Sequence, residues 1–126
     1  MKSKQELYDI LKQECVNSKK QVLDILKEEI EEENKKYELY NTLINNYDNQ
    51  QIVIAIEEMS ELQKELCKYL RTYQTALITN IEEITEEYCD VKIMLEQLKQ
   101  MFCISDIEEE EIIKGKLKRT KERLDL

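Results

Sequence analysis

The chain has 126 residues, enough for one domain around one core. With no Pro, one Gly and 37% charged residues it lacks the frequent turn residues that sheet proteins need. A net charge of -9, from 28 acids against 19 bases, disfavours a nucleic-acid backbone or an anionic membrane surface as partner.

These features predict an all-α fold, a bundle of four or five helices, and the 41% hydrophobic fraction is adequate for it. Ser3 with Glu6 has the spacing of a capping box and opens a first helix near 4–15. Ser18 with Gln21 opens a second near 19–46, and nothing between the two must break a helix, so they are either separate or continuous. Residues 1–48 carry no functional signal and read as an N-terminal helical extension of the bundle or of a subunit interface. Met1-Lys2-Ser3-Lys4-Gln5-Glu6 has no signal-peptide character, and no apolar run approaches the roughly 20 residues of a membrane span. The expectation is a cytoplasmic protein. The runs Glu28–Glu33 and Glu108–Glu111 read as solvated helix faces. Cys15, Cys67, Cys89 and Cys103 form no Cys-x-x-Cys pair, and with no His they cannot complete a zinc set. They read as reduced thiols filling small apolar spaces.

Residues 49–126 form the candidate functional core, in one compact unit overall. Asp48 with Gln51 opens a third helix near 50–71, Asn80 with Glu83 a fourth near 80–102, and Ser105 with Glu108 a fifth near 106–123. The short connections at 47–49, 72–79 and 103–105 favour antiparallel neighbours. The third helix carries an apolar stripe of Ile52, Ala55, Ile56, Met59, Leu62, Leu66, Tyr69 and Leu70, with Glu58 at its edge. The fourth carries Ile81, Ile84, Tyr88, Val91, Leu95, Leu98 and Phe102. A second face of the fourth helix starts acidic, with Glu83, Glu87 and Asp90, and ends apolar, with Met94, Leu98 and Met101. An exposed face would not usually turn apolar for two turns, so Glu87 is expected to point between helices, where an unpaired carboxylate is costly.

Glu58 and Glu61 lie one turn apart on one helix, as do Glu87 and Asp90 on the next. Like charges so placed repel by a few tenths of a kcal/mol per pair, and no base intervenes to relieve them. Such a pattern calls for a cation. A carboxylate-only donor set suits a hard ion, Mg²⁺ or alternatively Mn²⁺, and the absence of His excludes the Glu-x-x-His di-iron arrangement. Two such helices side by side would present Glu58, Glu61, Glu87 and Asp90 to one site able to bridge phosphate oxygens and activate water. That chemistry hydrolyses a phosphoanhydride. The competing view is a bundle whose acids make ordinary surface salt bridges.

The segment Ala55-Ile56-Glu57-Glu58-Met59-Ser60-Glu61-Leu62, followed by Asn80-Ile81-Glu82-Glu83 and Glu87-Tyr88-Cys89-Asp90-Val91, resembles the MazG-like superfamily of all-α nucleoside triphosphate pyrophosphohydrolases. Glu-Glu-x-x-Glu on one helix and Glu-x-x-Asp on the next occur in order, with 25 residues between Glu61 and Glu87. Ile93-Met94-Leu95-Glu96-Gln97-Leu98 also reads like the second motif helix, and the resemblance spans about residues 50–124. It implies Mg²⁺-dependent cleavage of a (d)NTP to (d)NMP and pyrophosphate, for instance in cleansing a nucleotide pool. It makes Glu58, Glu61, Glu87 and Asp90 the metal ligands. Glu57 orients water or acts as base, and Glu83 is a supporting acid or further ligand. Lys116 and Arg119 become the phosphate-binding candidates, although Gly115 stands where many relatives have Asn. Both bases also suit dipole compensation near a helix C-terminus, as do Lys68 and Arg71 on the third helix. Base stacking would fall to one of Tyr37, Tyr40, Tyr47, Tyr69, Tyr73 or Tyr88. The resemblance also implies a homodimer or homotetramer.

The rival from another class is a helical interaction or adaptor protein with incidental acidic clusters. Against it, the heptad pattern drifts and is interrupted near 72–79.

Overall fold

The computed structural model describes residues 1–13, 20–73 and 79–126. Among the described residues five helices run α1 Lys4–Gln13, α2 Lys20–Tyr47, α3 Asn49–Thr72, α4 Ile81–Met101 and α5 Asp106–Arg123. No strand occurs among the described residues, and no described helix is long and apolar enough to cross a membrane. The expected Ser18–Gln21 cap, the join between the first two helices and Cys15 lie outside the described residues. The chain divides into two compact units, Met1–Thr42 and Leu43–Leu126.

In the first unit the Ser3 capping box is complete. Ser3 N–H donates to Glu6 Oε2 at 2.7 Å, and Glu6 N–H donates to Ser3 Oγ at 3.1 Å. Lys4 ties α1 to α2 through Glu33 at 3.1 Å and Glu29 at 3.6 Å. The Glu28–Glu33 run is therefore partly engaged, while Glu28, Glu31 and Glu32 stay exposed.

In the second unit α3 and α4 pack along their lengths as an antiparallel pair. Glu65 meets Asn80 near the connection and Glu58 meets Glu87 two turns further in. In this register Ala55 falls across from Val91 and Gln51 across from Met94, and all four are buried. The packed face of α4 therefore runs through Asn80, Ile84, Glu87, Val91 and Met94. It joins Ile84 and Val91 of the apolar stripe to Glu87 and Met94 of the face that begins acidic and ends apolar, while Glu83 and Asp90 are exposed. Of the expected stripe, Val91 is buried and Ile84 and Leu98 are half-buried, whereas Ile81, Tyr88, Leu95 and Phe102 are exposed. On α3 the packed face is rotated the same way, through Gln51, Ala55, Glu58, Leu62 and Glu65. Ile56, Met59, Leu66 and Leu70 are exposed, and Glu58 stands within the contact rather than at its edge. Periodicity alone could not separate two adjacent apolar stripes on one helix.

Two other helix starts differ from expectation. Asp48 and Asn80 occupy the N-cap positions of α3 and α4, but neither side chain caps. Asp48 has φ 41° and ψ -116°, a left-handed backbone that carries its carboxylate away from the Gln51 amide. The Asn80 side chain is engaged across to α3. Ser105 does cap α5, accepting from Glu108 N–H at 3.1 Å.

The corner between α4 and α5 is a Schellman closure. Ile104 N–H donates to the Lys99 carbonyl at 2.9 Å, and Cys103 N–H donates to the Gln100 carbonyl at 3.3 Å. Cys103 carries the left-handed φ of 53° usually given to Gly. Cys103→Gly is expected to raise stability by about 1 kcal/mol, read as a higher urea midpoint with unchanged slope. Beside the corner, Lys99 bridges to Asp106 at 2.5 Å and to Glu109. Those two carboxylates hold the Lys99 ammonium above its ordinary range against the opposing effect of burial. Cys67, Cys89 and Cys103 are all exposed, so the expectation of core-filling thiols fails at each described cysteine. Small size does not bury a residue when its helix face has no neighbour.

Candidate functional site

The antiparallel register of α3 and α4 brings Glu58, Glu87 and Asp90 together. One carboxylate oxygen from each lies within 4.8 Å of the other two. Glu58 and Glu87 are half-buried and Asp90 is exposed, so the cluster opens to solvent on one side. No lysine or arginine among the described residues pairs with any of the three. Glu87 Oε2 is buried without a hydrogen-bond partner. An unpaired buried carboxylate oxygen is costly, and costlier still beside like charges.

The electrostatics follow from this placement. Burial pushes the Glu58 carboxyl above its ordinary 4.5, with Asp90, Glu57 and Glu61 adding to the rise. Burial likewise raises Glu87, followed by Asp90, Glu58, Glu61 and Glu65. Each rise says that the ionised form is disfavoured and that added positive charge would relieve it.

The donor set fits a hard cation. Oxygens around Mg²⁺ at about 2.0–2.1 Å stand roughly 3–4 Å from one another, so the three carboxylates need only small side-chain rotations to close on one ion. The charge and the all-oxygen chemistry suit Mg²⁺ or Mn²⁺ equally.

Glu61 stands one turn along α3 from Glu58, and its charge acts on both Glu58 and Glu87. Its carboxylate pairs with Lys64 at 3.7 Å and does not join the close triad. Glu57 and Glu83 are exposed. Lys116 and Arg119 are exposed on α5, which buries none of its residues, and Arg119 Nε donates to the Gly115 carbonyl at 3.4 Å. None of the contacts found for either base reaches the triad. Among the tyrosines, Tyr88 is exposed on α4, Tyr69 and Tyr73 stack with ring centroids 6.0 Å apart, and Tyr40 is buried.

In the second unit Glu65 has no assignment from the sequence, and Asn80 only that of a helix start within the motif segment. Glu65 lies two turns beyond Glu58 on α3, and its charge reaches Glu87. Asn80 donates to Glu65 from the start of α4. Both continue the acidic face at helical spacing. Reading the heptad offset from Glu58 to Glu65, and from Glu87 back to Asn80, would have found them.

No protein-family model, curated protein or solved structure matches this chain.

Proposed function

We propose that this chain is a divalent-cation-dependent nucleoside triphosphate pyrophosphohydrolase, a nucleoside triphosphate diphosphatase that releases (d)NMP and pyrophosphate. The observation that carries the reading is the Glu58–Glu87–Asp90 triad, with its buried unpartnered Glu87 oxygen and no basic partner among the described residues. The order of the motifs along α3 and α4 supports it. A bound Mg²⁺ or Mn²⁺ would neutralise phosphate oxygens and lower the pKa of water. The chain's part is to hold three carboxylates in one half-exposed cluster with Glu61 alongside. Glu57 is exposed next to Glu58, where it is free to accept a proton from water. Lys116 and Arg119 are candidates for binding the outer phosphates.

The working form is a homodimer or homotetramer. Among the described residues of the second unit, the buried apolar side chains are Ala55, Val91 and Met94. Full burial of a Val or Met stabilises by about 1.5–3 kcal/mol, little for a domain that must offset its chain entropy. Meanwhile Ile56, Leu66 and Leu70 on α3 and Ile81, Tyr88, Leu95 and Phe102 on α4 are exposed. A second copy would cover such surface.

The same seven-residue spacing of Ile81, Tyr88, Leu95 and Phe102 favours the rival reading, a helical interaction protein. One experiment separates the two. Purified protein is incubated with a panel of NTPs and dNTPs and Mg²⁺, and both products are assayed. Equimolar monophosphate and pyrophosphate, from protein sedimenting at a multiple of 15.2 kDa, is the expected result. Orthophosphate release points to a different cleavage. No turnover together with no Mg²⁺ binding by calorimetry sinks the enzyme reading.

A further inference from the structure

We propose that Asn80 and Glu65 form a register latch that positions the carboxylate triad, an inference that rests on the metal-site reading above. Asn80 is only 4% exposed. Its amide makes two hydrogen bonds to a single residue across the helix pair, donating to the Glu65 carbonyl at 2.9 Å and to Glu65 Oε2 at 2.7 Å. A helix N-cap asparagine ordinarily uses its side-chain oxygen on the amides of its own first turn. Asn80 does not, and its Oδ1 is left buried without a partner. That loss is accepted for the sake of a grip on α3.

The grip is in register with the triad. Glu65 is seven residues from Glu58 on α3, and Asn80 is seven residues from Glu87 on α4. Seven residues are two turns, about 10.5 Å along each axis. Whatever fixes Asn80 opposite Glu65 therefore fixes Glu58 opposite Glu87. A slip of one turn, about 5.4 Å, would break the triad apart.

Such a latch is needed because the triad opposes its own assembly. Glu58, Glu87 and Asp90 repel one another, and the apolar contact between α3 and α4 is small. Van der Waals packing of Ala55, Val91 and Met94 does not by itself select one register strongly. The two Asn80 hydrogen bonds do, since one goes to a main-chain carbonyl whose position is set by the helix. The second bond also holds the Glu65 carboxylate at the α4 N-terminus, from where its charge still reaches Glu87. Asn80 acts through Glu65 and is a positioning residue.

The test uses the full-length protein and Mn²⁺ as probe. Asn80→Ala is expected to weaken Mn²⁺ binding by about tenfold or more, as loss of a supporting group at a metal site does, with helicity by circular dichroism unchanged. Glu65→Gln keeps an oxygen for Asn80 to donate to, and is expected to bind Mn²⁺ within about twofold of the parent, well below the tenfold cost of a lost supporting group. Wild-type affinity in Asn80→Ala overturns the latch. A loss in Glu65→Gln equal to that in Asn80→Ala also overturns it, because Glu65 would then act by its charge. A second readout needs no metal. Spin labels on Cys67 of α3 and Cys89 of α4, with Cys15 and Cys103 replaced by Ser, report the separation of the pair. Asn80→Ala is expected to broaden that distance distribution. An unchanged distribution rejects the latch even if the parent binds no Mn²⁺, whereas broadening without Mn²⁺ binding rejects the metal reading and leaves the latch standing.

Discussion

Glu87→Gln is expected to melt at a higher temperature than the parent in chelator, and to lose the rise that Mg²⁺ gives the parent. Both halves come from one placement. Glu87 Oε2 is buried without a partner, and the neighbouring Asp90, Glu58, Glu61 and Glu65 all disfavour its ionised form. A neutral amide removes the repulsion and supplies two N–H donors to the neighbouring carboxylates. In the metal-free protein the exchange is therefore stabilising. With cation present the balance reverses, because the parent gains RT ln(1 + [Mg²⁺]/Kd), about 2.7 kcal/mol at a hundred times Kd. For a chain of this length that is on the order of 10 °C. Glu87→Gln is expected to show little of it, and to lower pyrophosphohydrolase turnover by more than about a hundredfold, beyond the cost of losing a merely supporting group. Paired melts in chelator and in Mg²⁺ give the answer. A variant that melts lower than the parent in chelator would mean that the buried oxygen holds the fold together. A variant that keeps the full Mg²⁺ response would remove Glu87 from the ligands.

The placement of carboxylates inside the helix contact explains why the helices were easier to read from the chain than the contact between them. The five helices follow from local rules. Ser3 and Ser105 cap where their spacing says they should, and a chain with no Pro and one Gly has little else to become. The pairing face of α4 follows from a tertiary choice. Ile81, Tyr88, Leu95 and Phe102 of the apolar stripe are exposed, and the packed face takes only Ile84 and Val91 from it, together with Asn80, Glu87 and Met94. A rule that assigns the most apolar face to the nearest contact fails where a polar site occupies that contact. The sequence did carry the clue, in a face that begins with acids and ends with Met94 and Leu98.

Long-range hydrogen bonding was not legible in the same way. Asn80 followed by Glu83 has the spacing of a capping box, and local pattern alone assigns its side chain to its own helix. The competing acceptor is Glu65, 15 residues back along the chain, and no periodicity within one helix reports it. The position of α5 is a similar case. Its first turn is acidic and its last basic, as helix polarity favours, and this pattern is indifferent to whether Lys116 and Arg119 face a phosphate site or solvent. The motif order along α3 and α4 nominates those bases, but the corner at Cys103 and the Lys99 clasp decide where α5 goes.

The metal-free protein is expected to gain stability as the pH falls through the folded-state pKa values of Glu58 and Glu87 toward 4.5, the reverse of ordinary acid denaturation. Glu58 and Glu87 set the sign. Burial first and Asp90 second hold both carboxyls above the 4.5 they have when unfolded. Between that value and the higher folded-state values the native chain binds more protons than the unfolded one. Stability therefore falls as pH rises through the folded-state pKa values, and is recovered on acidification down toward 4.5. Relief of the overall charge of -9 acts in the same direction, but salt screens that broad contribution more than repulsion within a half-buried cluster. The Glu58→Gln, Glu87→Gln double variant isolates the local part, since it keeps the broad contribution and loses the rest. Saturating Mg²⁺ is expected to invert the slope, because a cation binds the ionised carboxylates and competes with protons for them. Melting temperatures across this range, in chelator and in Mg²⁺, should give two curves that converge at low pH and separate toward neutrality. Parallel curves would mean that protons and cation do not share the triad.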